Sequence, residues 1–149
     1  MLYITLKFVH ILLAIIAVGF TTSFGLISAR AARAGDREMM YALKTIALMS
    51  NIAHGCYLLL LITGLWMIWV VGYPFSFTWI YLSLILFTLA FLAGSFMMIP
   101  SVKRRMAILQ ERGSSDPELI ELSQRAMKLG PILGVVTLVI IWLMVAKPI

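Results

Sequence analysis

Four long apolar stretches dominate the pattern of hydrophobic and polar positions along the 149-residue chain. They run over Leu2–Ala29, Thr45–Val71, Thr78–Ile99 and Leu129–Ala146. A helix needs about 20 mainly apolar residues to cross the hydrocarbon core of a bilayer. The last three stretches contain no Asp, Glu, Lys or Arg, and the first contains only Lys7. The pattern therefore predicts an all-α membrane protein with four transmembrane helices.

The connections between these stretches differ in charge. The first, residues 29–44, and the third, residues 100–128, hold ten of the twelve Lys and Arg residues, whereas the second, "GYPFSF", has no charge. Short loops rich in Lys and Arg stay on the cytoplasmic side of a membrane. We therefore expect an up-down-up-down four-helix bundle with both termini outside. The chain is predicted to form a single domain, residues 1–149, in the bacterial inner (cytoplasmic) membrane.

The third connection has a structure of its own, a cytoplasmic helical hairpin-like segment at about residues 100–128. The stretch "VKRRMAILQER" extends the third helix, and "GSSDP" is typical of a turn. Asp116 suits the N-cap of the next helix, with Pro117 at the first helical position. Glu121 and Arg125 are four residues apart on that helix, a spacing at which opposite charges attract.

Small and polar residues gather on one face of each predicted helix. Helices in lipid associate by close packing of small residues, so these faces are expected to turn inward. The residues are His10, Ala14, Ala17, Thr21, Gly25 and Ser28 in the first helix, Ser50, Asn51 and His54 in the second, Ala90 and Gly94 in the third, and Gly130 and Gly134 in the fourth. Pro131, beside Gly130, is expected to loosen the fourth helix at the membrane edge.

Composition supports the membrane assignment and limits the classes of partner. The chain is 62% hydrophobic and 12% charged, whereas a soluble domain is about 45–50% apolar and about 25% charged. The net charge of +6 is explained by topology and by anionic lipid headgroups. No interleaved aromatic and basic pattern accompanies it, so nucleic acid is not an expected partner. The single cysteine, Cys56, is expected to be a small packing residue.

Few side chains inside the predicted spans can carry chemistry. The strongly ionisable groups there are Lys7, His10 and His54. All six Asp and Glu residues lie in the predicted cytoplasmic connections, so neither paired carboxylates nor a Ser-His-Asp set can form within the membrane. The sequence also has no Gly-rich phosphate-binding loop. These residues point away from an enzyme.

His10 and His54 are the candidate site residues, because an ionisable group inside a membrane is by default a candidate for a functional site. The other interpretation is a neutral imidazole that hydrogen-bonds a neighbour and steadies packing. For His54 the neighbours would be Ser50 and Asn51 on its own face. His10 lies on the small-residue face and is expected to reach the second or fourth helix. Lys7 is expected to extend to the outer interface.

Two histidines on adjacent helices suggest a b-type haem with two axial histidines. Counted from Tyr3, His10 lies about 10 Å deep, and counted from Trp66, His54 lies about 18 Å deep. That difference of about 8 Å disfavours a shared iron. No cofactor is expected by default; haem b remains open, with His10 as its candidate ligand and His54 as the weaker one. His10 is expected to be a metal ligand only if haem or a metal is bound.

Three segments resemble a bacterial family of predicted integral membrane proteins, domain-of-unknown-function 2269. They are "LKFVHILLAIIAVG", "LLLITGLWMIW" and the basic run after Pro100. The resemblance covers nearly the whole chain. It implies a four-helix inner-membrane protein and supplies no established activity.

A looser similarity reaches two further groups, the four-helix membrane protoporphyrinogen oxidases and the CopD-like copper-resistance proteins. His10 matches the position of a histidine in both groups. Both groups commonly carry Trp where this chain has Ala17. The oxidases also carry a basic residue in the third span, which here reads "WIYLSLILFTLAF". The similarity therefore implies a link to haem at His10 without the oxidase activity.

Two functions follow from the sequence. The first is a non-enzymatic integral membrane protein, either free-standing or an accessory subunit of a larger membrane complex. Its partners would be the lipid bilayer and membrane proteins or further copies of the chain. The second is a haem-binding or porphyrin-linked redox protein that uses His10. A metal or solute carrier is the least supported, because the spans offer little hydrophilic path.

Overall fold

The computed structural model describes residues 1–148, and over that range its regular structure is entirely helical. The elements are α1 (Leu2–Ala31), α2 (Asp36–Val71), α3 (Thr78–Ala93), a π-helical turn (Gly94–Met98), α4 (Ile99–Arg112) and α5 (Pro117–Ala146). The segments α3, π-turn and α4 form one continuous helical rod. This rod and the helices α1, α2 and α5 are each long and apolar enough to cross a membrane. The prediction of four such helices is confirmed.

The helices end where the sequence provides a terminating residue. Gly72 adopts φ +75° after α2, and its N–H donates to the carbonyl of Ile68. The N–H of Tyr73 donates to the same carbonyl, which is the pattern of a helix stop that favours glycine. The next helix-start signal is also confirmed, because Asp116 Oδ1 accepts the N–H of Glu118 at 2.8 Å. These caps place the second and third reversals of the chain at specific residues.

The π-turn ends two residues before Pro100. Proline has no N–H, and in an α-helix its ring collides with the carbonyl four residues earlier, here that of Phe96. The backbone relieves this collision by widening, so that the N–H of Ile99 donates to the carbonyl of Gly94, five residues back. Pro131 behaves differently, because α5 continues through it as one α-helix. The expected loosening of the fourth helix is therefore not observed.

The helices α1 and α2 pack against each other along their length. His10 contacts Thr63 and Thr21 contacts Tyr57, so the contacting pairs run in opposite order and the two helices are antiparallel. Ala17, one turn before Thr21 on α1, is completely buried. A small residue at such a position lets two helix backbones approach closely.

Two apolar clusters lie at opposite ends of the molecule. One joins α2, α4 and α5 and contains Leu43, Ile46, Val102, Ile108, Leu109 and Leu119. The other joins the far end of α2 to α3 and α5 and contains Ile68, Trp79, Ile80 and Leu143. We name the end with the first cluster the basic end, because the charged connections lie there. The end with the second cluster is the aromatic end, where the Lys147 ammonium lies 5.4 Å from the Trp79 ring.

The glycine faces differ from the expectation of close helix contact. Within residues 1–148, a Cβ atom built at Gly25, Gly94, Gly130 or Gly134 would meet no heavy atom within 4 Å apart from its own helix. Ala90, one turn before Gly94, is half-buried. These glycines therefore do not lie at a close approach of helices within the chain. Hydrophobic periodicity alone did not reveal that these glycines lack a partner helix among the described residues. A face of small residues gives the same sequence pattern whether the helix that packs on it belongs to the chain or to another molecule.

Candidate functional site

His10 lies between α1 and α2, as its place on the small-residue face suggested. Its Nδ1 is 2.8 Å from the hydroxyl of Thr63. That hydroxyl donates its single hydrogen to the carbonyl of Leu59, also at 2.8 Å. The His10 tautomer that completes this chain carries its hydrogen on Nδ1 and donates to Thr63. Its Nε2 then keeps a free lone pair, which is the state of a histidine able to bind a metal.

Gly64 provides the space that the imidazole occupies. A Cβ built on Gly64 would lie 3.3 Å from Cε1 of His10, closer than ordinary van der Waals contact. The ring thus packs against the α2 backbone at a position that carries no side chain. Sequence reasoning missed both Thr63 and Gly64. The sequence feature that could have identified them is the dipeptide Thr63-Gly64, a hydroxyl beside a glycine within the otherwise bulky segment "LLLITGLW".

A second polar contact lies farther along the same interface. The hydroxyls of Thr21 and Tyr57 are 3.2 Å apart, and Thr21 also donates to the carbonyl of Ala17 at 3.0 Å. Tyr57 packs edge-on against Phe87 of α3, with ring centroids 6.1 Å apart. This contact links the α1–α2 pair to the third helix. In lipid, such hydrogen bonds between helices stabilise association.

His54 faces a different helix from His10. Its ring stacks on Phe91 of α3 with centroids 4.3 Å apart. Ser50 and Asn51 line a crevice toward α4 instead, so the expected hydrogen-bonded face of Ser50, Asn51 and His54 is divided between two neighbours. The structure places His54 as an aromatic packing partner.

The two histidines lie at different levels. His10 is level with Thr63, which follows His54 by nine residues on α2. At a rise of 1.5 Å per residue that is a separation of about 14 Å along the helix, larger than the sequence suggested. The structure therefore does not bring the two imidazoles together as ligands of one iron. Among residues 1–148 no group of three or more His, Cys, Asp and Glu side chains is arranged to hold a metal ion.

Arg105 is a buried cation that sequence reasoning treated only as part of a basic loop. It is 3% exposed, and its Nε has no hydrogen-bond partner among residues 1–148. Its neighbour Arg104 points outward and binds Glu118 at 2.8 Å. The difference follows from the helical period, since Val102, Arg105 and Ile108 share the face of α4 that packs inward. The spacing of Arg105, three residues from both Val102 and Ile108, could have predicted from the sequence that its side chain faces inward.

Polar contacts lie between and within the two connections of the basic end. The backbone N–H of Ser114, in the α4–α5 turn, donates to Asp36 Oδ2 at the start of α2, at 3.4 Å. Arg112 lies 3.4 Å from Glu118, and Arg125 lies 2.6 Å from Glu121. The predicted pairing of Glu121 and Arg125 is confirmed. All of these groups are substantially exposed or at the surface, so their contribution to stability is small.

Four apolar helices of membrane-spanning length, joined by polar turns, define an integral membrane protein. The sequence places the chain more closely within that class. It belongs to the family described as "Predicted integral membrane protein (DUF2269)", whose family model matches residues 4–148. The resemblance read from the sequence is thereby confirmed. No curated protein and no solved structure matches the chain.

Proposed function

We propose that the protein is a non-enzymatic subunit of a membrane assembly, with α5 as the helix that contacts its neighbour. The observation that carries this proposal is the open face at Gly130 and Gly134. The two glycines are spaced as GxxxG in a spanning helix, and no side chain of residues 1–148 fills the space above them. In lipid, glycines at this spacing let a second helix approach closely enough for backbone contact.

The interior of the chain supports a packing role over a catalytic one. His10 is engaged by Thr63, and His54 is stacked on Phe91. Three of the acidic side chains, those of Asp116, Glu118 and Glu121, lie near the ends of helices and cap a helix or pair with arginines. The titratable groups of the spans therefore contact different residues and lie apart from one another. They do not form a nucleophile with its base or an acid-base pair.

Replacing Gly134 with leucine should release the protein from its assembly. The wild-type protein, extracted in polymer-bounded discs of native membrane, is expected to have a particle mass above that of one chain with its lipids. In Gly134→Leu the mass should fall to the single-chain value, because the leucine side chain keeps a second helix away. Mass photometry or analytical ultracentrifugation of the discs would measure this change.

The matched control is Gly55→Leu in α2. Gly55 also has open space above it, yet the residues four positions away are Asn51 and Leu59, so no GxxxG pattern exists. This variant should keep the wild-type mass. A single-chain mass for the wild type, or equal masses for wild type and Gly134→Leu, would disprove the proposed association.

A second function is favoured by the geometry at His10. Metal-binding histidines usually donate the hydrogen of their other ring nitrogen to a protein acceptor, and Nδ1 of His10 has such a partner in Thr63. The residues fit a single-histidine site, with Nε2 as the ligand, and they do not fit a second histidine at that level. When bound, haem b would supply redox chemistry. Thr63 would fix the tautomer and orientation of the ligand.

The test of this second function is a visible absorption spectrum of the purified protein, with haemin added to a parallel sample. Haem ligation by His10 predicts a Soret band that His10→Ala abolishes and His54→Ala retains. Thr63→Val should weaken haem affinity by about 10–100-fold, the usual effect of losing the partner of a ligand. A wild-type protein without a Soret band after haemin addition, or a band that survives His10→Ala, would exclude His10 as the ligand.

A further inference from the structure

A crevice opens between α2 and α4 at the basic end. It has a volume of about 60 Å³ and is lined by Ala47, Ser50, Asn51, Ile99, Val102, Lys103 and Met106. The apolar residues form its walls, and the hydroxyl, the amide and the ammonium supply its polar groups. A space of this size has no room for a macrocycle but suits a small charged group whose remainder lies outside the protein.

The polar groups of this crevice lack partners among the described residues. Several hydroxyls in the spans, including those of Thr63 and Thr137, donate back to carbonyls of their own helices, although that of Ser83 has no partner among residues 1–148. Among residues 1–148, Ser50 and Asn51 make no side-chain hydrogen bond. The four ion pairs of the described chain use other cations, which leaves Lys103 without a carboxylate.

Such an arrangement is costly at the edge of a bilayer unless something satisfies it. Asn51 is exposed within the apolar stretch of α2, where an unbonded amide that has left water raises the free energy of the protein. Lys103 lies four residues beyond Ile99, where the apolar part of the helical rod ends. The crevice therefore joins a cation at headgroup level to polar groups slightly deeper, between walls that remain apolar.

We propose that this crevice binds the headgroup of an anionic phospholipid. The phosphate would accept hydrogen bonds from the Lys103 ammonium, the Asn51 amide and the Ser50 hydroxyl. The acyl chains would lie outside, along the apolar surface of the rod. Basic pockets between transmembrane helices on the cytoplasmic side are typical sites for such lipids. The excess of positive charge at this end of the protein complements an anionic lipid and disfavours a cationic ligand.

The test is lipid binding to the purified full-length protein, measured by native mass spectrometry and by thermal unfolding in a neutral detergent. Phosphatidylglycerol should remain bound as one molecule per chain and should raise the melting temperature, since a ligand of the folded state stabilises it. Phosphatidylcholine should do neither. Lys103→Met should weaken phosphatidylglycerol binding by about fivefold, the expected effect of one basic residue at a membrane surface.

Further variants separate the crevice from general charge attraction. Asn51→Leu should also weaken binding, although it removes no charge. Lys128→Met removes a cation from the same end of the protein outside the crevice, and it should leave binding unchanged. Equal effects of Lys128→Met and Lys103→Met, or equal binding of the two lipids, would refute the site. Equal stabilisation by inorganic phosphate alone would assign the crevice to a free anion and refute the lipid.

Discussion

Replacing Gly64 with leucine should lower the free energy of unfolding by about 1–3 kcal/mol, the usual cost of overpacking a filled contact. The imidazole of His10 occupies the position into which the new side chain would extend, with Cε1 only 3.3 Å from the first added carbon. Either the ring must leave Thr63 or the two helices must separate. The measurement is reversible unfolding of the protein in mixed micelles by a denaturing detergent.

Gly55→Leu is the control for this experiment. Both glycines belong to α2, so both substitutions gain the same helix propensity, about 0.8–1 kcal/mol for losing a glycine. Open space lies above Gly55, so only the propensity gain should remain. The difference between the two variants isolates the contact with His10. Equal stability of the two would show that the imidazole is not held against Gly64.

Replacing Arg105 with methionine should stabilise the protein by about 1–3 kcal/mol, the cost of leaving a buried polar group unsatisfied. Arg105 is 3% exposed and its Nε has no partner among residues 1–148. Methionine fills similar space with a flexible apolar chain. The measurement is the melting temperature in detergent, which should rise.

The control is the adjacent residue, Arg104, for which no rise in melting temperature is expected. Arg104→Met removes an exposed ion pair with Glu118, whose contribution is about 0–1 kcal/mol, so the melting temperature should stay or fall slightly. A fall in melting temperature for Arg105→Met would mean that the buried guanidinium is satisfied by a partner from outside the chain. Such a fall would contradict the prediction that Arg105→Met raises the melting temperature of the purified protein.

The sequence was sufficient where a local rule decides the structure. The long apolar runs predicted the four helices, and Asp116 followed by Pro117 predicted the start of α5, because capping depends only on neighbouring residues. The partner of His10 could not be predicted in this way. Thr63 is 53 positions away, and the register of two packed helices depends on contacts along their whole length.

The same limit applies at the glycine faces and at Pro100. Periodicity identified Gly130 and Gly134 as one face but not what covers it, since that depends on which helices are neighbours. The π-turn at Gly94–Met98, before Pro100, was not anticipated from the sequence. Proline can end, bend or widen a helix, and the surrounding packing selects among these outcomes.

The hydrogen bond between His10 and Thr63 also has a consequence for biogenesis. Residue 63 is made after His10, and an imidazole in hydrocarbon without a partner is unfavourable. Entry of α1 and α2 as a helical hairpin would supply the hydroxyl of Thr63 and the bare backbone of Gly64 at the moment of insertion. The contact therefore favours insertion of the first two helices as a pair over insertion of α1 alone.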